Sequence, residues 1–428
     1  MASSSPSGID TDTSPLSLSL SWLQETVDIL RTKLAAMDQQ QVFFSLAMLV
    51  VLLVQVFWKA KQARNVTKTR TLEAPGFPPI EPLKNFDWKT TEPLKFRPFK
   101  PKYHLTMALE TLNPSELIPM DKTYKDRLAY RRSLLKEYHD TVVAVNDDSD
   151  PRIRAAVKEL YTFLMGTYLP GRYPTMFRLH HTAFETGKAV MLENLVTEEI
   201  YPAEVTPQTS TIRALETLLK TIDEDFLILL PEEPKTKNSK NKSKPSEEKE
   251  AADGNVKYIL QAFSTCYPAG FNPRKKLGKR LAEIHAPVPG YADKLEKSMD
   301  RFFEKLEVGR YVKRVNWSIT TDAELFSAFG GLHSEEGEKM DAIKPGELNV
   351  DTTFLRCERQ TLHRLPCSKA LVFAFHTYTY PIREIKEEGL GEDLATAIDG
   401  LKEGSTPQIH FYKRGPVWGE AVKAFLRS

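Results

Sequence analysis

Apolar and polar positions change rhythm several times along this chain. Residues 1–21 are rich in Ser, Thr and Pro and offer little to bury, which predicts a disordered start. Trp22, Leu23, Val27, Leu30 and Leu34 then recur at helical spacing and predict a short amphipathic helix within 22–38. Residues 42–58, VFFSLAMLVVLLVQVFW, form a run of 17 without a charge. As a helix rising about 1.5 Å per residue, this run would span roughly 26 Å, enough for a thin bilayer. The expectation is one transmembrane helix over 42–58 behind an N-terminal segment, 1–41. Lys59, Lys61, Arg64, Lys68 and Arg70 follow the run, whereas Arg31 and Lys33 before it are offset by Asp28 and Asp38. The positive-inside rule then puts the C-terminal domain in the cytosol, and the short span favours the endoplasmic reticulum.

Residues 59–95 are basic and Pro-rich and predict an extended linker. From 96 to 428 the pattern is that of a packed domain. Helical periodicity appears near 122–139, 151–167, 211–222, 273–283 and 291–306. Asp150 before Pro151 and Asn272 before Pro273 are cap-plus-proline start signals. Alternating or apolar runs predict strands at 311–319, 353–363 and 369–379, the last two close enough to pair as an antiparallel hairpin. Helices first and strands last favour an α+β domain over a doubly wound sheet. Residues 231–254 interrupt this domain with six Lys, five Glu and no aromatic, and predict a solvated, disordered insertion.

Composition narrows the function. Lys and Arg number 59 against 57 Asp and Glu, a net of +2, which gives no footprint for nucleic acid. The three cysteines, Cys266, Cys357 and Cys367, form no disulfide framework and no Cys-x-x-Cys pair. They cannot hold an iron–sulfur cluster, and they suit a reducing compartment. No P-loop, dinucleotide fingerprint, Gly-x-Ser-x-Gly or His-Glu-x-x-His occurs, so no flavin or nucleotide site is expected in this chain.

Three segments could carry chemistry. In FLRCERQTL, residues 354–362, a strand would put Arg356, Glu358 and Gln360 on one face and Leu355, Cys357 and Arg359 on the other. Three polar groups in a row are either a solvent face or a polarised pocket wall. In IHAPVPGY, residues 284–291, two prolines fix a loop after a basic helix, and His285 sits at the junction. It either closes the helix end or projects into a cavity, where neutral imidazole is a common haem ligand. His376, in LVFAFHTYTY, is a core or edge histidine or a second ligand candidate. The neighbours His180 and His181 would point apart, so they do not read as a chelating pair. Cys357 could in principle ligate iron as a thiolate, but a buried inert thiol fits its surroundings better.

Four motifs occur together: CYPAGFNPRKKLGKRLAEIHAPVPGY (266–291), RFFEKL (301–306), RVNWSI (314–319) and LRCERQTLHRLP (355–366). In their order and spacing the domain resembles the α subunit of the haem-dependent oxidative N-demethylases and their fungal relatives. That resemblance implies a PAS-like curved antiparallel sheet with surrounding helices and bound haem b. It implies oxidation of a small amine such as dimethylamine with O2, and electrons from a separate reductase. It makes His285 the axial haem ligand, with His376 as second choice. It puts Glu358 beside a substrate ammonium, with Arg356 or Arg359 next to a haem propionate or bound oxygen. Arg314, Trp317 and Gln360 would line the same cofactor pocket, with Asn316 beside them. A haem-binding PAS-like sensor or carrier without catalysis is the alternative, because this fold serves many functions.

Overall fold

The computed structural model describes residues 71–184, 187–233, 256–334 and 337–428, with Met48 and Gln55. The amphipathic stretch 22–38, the apolar run 42–58 apart from those two residues, and most of the charged insertion lie outside the described residues. Among the described residues no helix is long and apolar enough to cross a membrane.

Among the described residues, ten strands form two sheets. β1 (Glu110–Thr111), β2 (Val143–Val145), β6 (Asp225–Pro231), β7 (Tyr258–Ser264), β8 (Val312–Thr320), β9 (Phe354–Arg364) and β10 (Leu371–Pro381) make a seven-stranded sheet. Its order is β1-β8-β9-β10-β6-β7-β2. β3 (Phe177–Phe184), β4 (Gly187–Asn194) and β5 (Glu199–Pro202) form a second, three-stranded sheet. Every strand pair is antiparallel, and helices pack around the sheets, so the domain is α+β as expected.

The predicted hairpin is the centre of the large sheet. β9 and β10 pair from Arg364–Leu371 to Phe354–Pro381. Gly76, at φ +82°, lies against the turn between them, where a Cβ would come within 2.7 Å of Pro366 Cβ. The insertion falls between β6 and β7, which pair with Pro231 opposite Tyr258, so it interrupts a hairpin and not a core element.

The expected helix over 273–283 is split. Asn272 caps a four-residue turn, Pro273–Lys276, through Arg274 N at 2.9 Å. Gly278 then adopts φ +77° against Asn146, and a short helix, Leu281–His285, begins only afterwards. Asp150 caps Pro151–Thr162 as expected, accepting from Arg152 N at 2.8 Å.

Residues 71–95 contain no helix or strand, yet the folded unit begins with them, ahead of the expected boundary at 96. Their aromatic and aliphatic side chains explain why. Phe77 stacks on Phe163 at 3.9 Å, Leu72 N donates to Gly166 O, and Leu83 N donates to Arg172 O. A stacked pair of this kind contributes about 0.5–1.5 kcal/mol beyond its area.

Side-chain alternation gives the large sheet two distinct faces. On the first, Glu358 is flanked by Asn316 and Thr377, and Gln360 by Arg314 and Phe375. Leu362 and Val312 continue this face into a core shared with Leu281, Tyr291, Leu295, Met299 and Phe303. On the second, Arg359 is flanked by Val315 and His376, and Cys357 by Trp317 and Tyr378. Trp317, Leu355, Cys357, Tyr378 and Tyr380 pack there with the C-terminal helices Gly391–Glu403 and Gly415–Arg427.

Candidate functional site

The first sheet face carries polar groups whose working atoms are uncommitted. His285 ends the helix Leu281–His285, and its Nδ1 lies 2.8 Å from the Leu281 carbonyl oxygen. Gly290, at φ +73°, turns the chain back so that Tyr291 stacks on the imidazole at 4.7 Å and 16°. Burial lowers the His285 pKa, with Lys276 and Arg314 adding to the shift, so the ring is held neutral. A neutral ring with Nδ1–H donating to a carbonyl leaves the Nε2 lone pair free, and Nε2 has no hydrogen-bond partner among the described residues.

Arg314 is the second uncommitted group. It makes no hydrogen bond or ion pair among the described residues, and its Nε is buried without a partner. Burial lowers its pKa, against the fields of Tyr103 and Glu358. An unpaired guanidinium in such a position is costly unless an anion completes it.

Glu358 is 7% exposed and accepts from Gln360 Nε2 at 3.0 Å. That bond engages Oε2 and leaves Oε1 free. Beyond the short strand β1, β8 has an open edge, and Lys413 caps it. Its Nζ donates to Asn316 Oδ1 at 3.1 Å and to the Trp317 carbonyl. Burial pushes the Lys413 pKa down to about 8, although the Glu358 charge opposes the shift.

The predicted residues do not all meet here. Arg356 shares the Glu358 face but is a clamp, donating to the carbonyls of Tyr267 at 2.8 Å, Leu325 at 3.1 Å and Glu324 at 3.3 Å. Arg359 faces the other side and donates to Leu117 O at 3.0 Å and Glu116 O at 2.5 Å. Trp317 is 7% exposed in the C-terminal core, offering this site its backbone oxygen and not its ring. His376 also lies on the second face, with Nδ1 3.3 Å from Glu224 and Nε2 3.6 Å from Asp223, so both nitrogens face carboxylates. Cys357 is fully buried, and burial pushes its thiol up to about 12. His180 Nε2 meets Glu193 at 2.6 Å in the small sheet, far in the topology from this site.

Two groups escaped the sequence reading. Lys413 sits in a C-terminal segment with no motif, and only its burial marks it. His333 stacks on Tyr412 at 4.3 Å and 14°, and burial together with the fields of Lys413 and Arg356 pushes its pKa down to about 3.

A family model described as haem-dependent oxidative N-demethylase, alpha subunit-like, matches residues 108–423. The chain belongs to this family. The match covers both sheets and every residue named above for the site except Tyr103. The family name associates the domain with haem and with oxidoreductase chemistry. His285 and Arg314 fit such a group on their own geometry. One presents a neutral, oriented nitrogen, and the other is a half-buried cation whose enclosed Nε lacks an acceptor.

Proposed function

We propose that this chain is a membrane-anchored, haem-dependent monooxygenase-type enzyme that oxidatively demethylates a small amine. The observation that carries the proposal is His285. Its Nδ1 is tied to Leu281 O while Nε2 stays free, on a family member with an unpaired arginine on the same sheet face. In this reading His285 Nε2 would hold the iron of haem b, and Arg314 would pair with one of its propionates. When bound, the haem supplies oxygen activation, and the protein supplies position and field.

The chain's own groups do the rest. Glu358 Oε1 accepts an N–H of the substrate ammonium, while Gln360 fixes the carboxylate by holding Oε2. Lys413, tied to Asn316 and to β8, sets a positive field at the pocket edge and weakens as pH rises past about 8. The Arg356 clamp holds the 324–325 loop against the sheet. Electrons come from a separate reductase. Two of the three thiols are buried and pushed up to about 12, which does not suit a thiolate-held cluster. The PAS-like description of the domain, the anchor at 42–58 and the cytosolic, endoplasmic-reticulum placement belong to this proposal. They rest on the antiparallel sheet, the apolar run and its basic flank.

The test uses the full chain loaded with haem and supplied with a chemical reductant, O2 and dimethylamine. Formaldehyde release is expected. Glu358→Gln should lower kcat/KM by roughly 10- to 100-fold, the worth of one hydrogen bond to a charged group. Haem-loaded protein that releases no formaldehyde from any small methylamine would overturn the enzymatic reading and leave a haem sensor or carrier.

A further inference from the structure

One residue beside Arg314 lies outside the family-matched region 108–423, and that residue is Tyr103. Residues 96–105 contain no helix or strand and lie against the end of the helix Gly391–Glu403. Two glycines let the chain come that close. A Cβ on Gly400 would run into Pro101 O, and one on Gly404 would run into Tyr103 O. The backbone of Tyr103 is held on both sides. Its N–H donates to Gly400 O at 3.1 Å, and its carbonyl accepts from Ser405 N at 3.0 Å. Leu105 N donates to Ser405 Oγ at 3.0 Å and fixes the next turn of the path.

The Tyr103 ring packs where two cores meet. One lies under the C-terminal helices with Trp317 and Leu355, and the other contains Leu281, Tyr291 and Val312. Val288, three residues after His285, bridges the same two cores. Lys413 Nζ lies 5.8 Å from the Tyr103 ring centroid, and the same nitrogen is 3.1 Å from Asn316 Oδ1. Asn316 follows Arg314 by two residues on β8, so both side chains share the sheet face that carries Glu358. The phenol and the guanidinium feel each other: burial raises the Tyr103 pKa, and the Arg314 charge pulls against that shift.

Both polar ends are uncommitted and open. Tyr103 is half-buried, and its hydroxyl makes no hydrogen bond among the described residues and is not one of the enclosed polar atoms. The terminal nitrogens of Arg314 are in the same condition, although its Nε is enclosed. The charges around them do not balance. Arg314 and Lys413 stand against the single carboxylate of Glu358, and Asp300, the acid whose field reaches His285, is spent on Lys257 at 2.6 Å. A carboxylate brought in from outside restores the balance, whereas a cation placed between Tyr103 and Arg314 would meet a like charge.

We propose that Tyr103 is a cofactor-binding residue whose hydroxyl donates to the same haem propionate that Arg314 would pair with. The inference rests on the haem reading above and names a further residue of that site. A neutral hydroxyl and a guanidinium offer separate donors to the two oxygens of one carboxylate. The segment before the matched region then belongs to the cofactor site, and Gly400 and Gly404 serve haem retention by seating Tyr103.

The test is haem loss from the full chain to an excess of apo-globin, followed by the Soret band. It is run with haem b and with its dimethyl ester, whose propionates carry no charge. Tyr103→Phe should lose haem b about tenfold faster than the parent, the effect of removing one hydrogen bond to a charged group. It should lose the ester at the parent's rate. The haem-free variant should melt at the parent's temperature, because the lost hydroxyl has no partner in the chain. Equal loss of haem b from variant and parent would overturn the proposal and leave the haem reading standing. Faster loss of haem b and ester alike would also overturn it, because the hydroxyl would then support the pocket and not the propionate. A parent that takes up no haem would overturn it together with the haem reading.

Discussion

Two places on the large sheet, the start of β6 and the middle of β8, treat charge in opposite ways. At the start of β6, Arg131 is fully buried and saturated, donating to Asp225 at 2.6 Å, to Glu224 O at 2.7 Å and to Leu219 O at 3.2 Å. Asp225 in turn accepts from the amides of Cys266 and Tyr267 at 2.8 and 2.7 Å. On β8, Arg314 is half-buried beside Glu358, with its Nε enclosed and no bond of its own. A saturated buried pair specifies a fold, whereas a half-buried cation without a bond is open to a partner that the chain does not supply. β9 repeats the contrast across its two faces: Glu358 keeps Oε1 free on one, while Arg359 is spent on the carbonyls of Glu116 and Leu117 on the other.

The contrast is broken most severely on the saturated side. Asp225→Asn leaves Arg131 only Asp223, at 3.8 Å, as a counter-charge and should cost about 3–5 kcal/mol, a large part of a domain's stability. Urea unfolding of the purified chain measures it. Arg314→Leu should leave unfolding of the haem-free protein within about 1 kcal/mol of the parent, or raise its stability, because no bond is lost. Its effect should appear as weaker haem retention. A loss comparable to that of Asp225→Asn would show that Arg314 is structural.

The smallest expected effect concerns pH. Burial holds the Lys413 pKa down at about 8 in the fold against the ordinary 10.5, so the unfolded chain binds more protons between those values. Stability contributed at this position therefore rises with pH from about 8 to 10.5. Comparing Lys413→Met with the parent isolates this slope from the tyrosines, whose raised pKa values act in the opposite direction above pH 10. The difference in melting temperature between the two proteins should change steadily over pH 8 to 10. A constant difference would show that Lys413 ionises normally.

Much of the fold was legible because single-face patterns are explicit. The β9–β10 hairpin, the helix from Pro151 and the split of β9 into two faces follow from alternation and caps. β6 and β7 were missed for the opposite reason. DFLILLP and YILQAFS are buried on both faces, so they carry no period of two to read. The C-terminal helices went unassigned although Gly391–Glu403 and Gly415–Arg427 are regular. The site was half legible. Motifs located His285, Arg314, Glu358 and Gln360, and strand parity alone could have removed Arg359 from them. No local pattern announces that Arg356 ends on backbone carbonyls, or that Lys413 reaches across from a distant helix to β8. Those facts arise from tertiary packing.

The most direct test of the account is the absorption spectrum of the full chain expressed with a haem precursor, beside His285→Ala and His376→Ala. The account predicts a Soret band in the parent. His285→Ala should lose or shift it and regain it with added imidazole, while His376→Ala should leave it unchanged. A band that survives His285→Ala unaltered and is lost in His376→Ala would contradict the assignment of the first sheet face as the haem site. A folded parent with no band at all would contradict the haem reading itself.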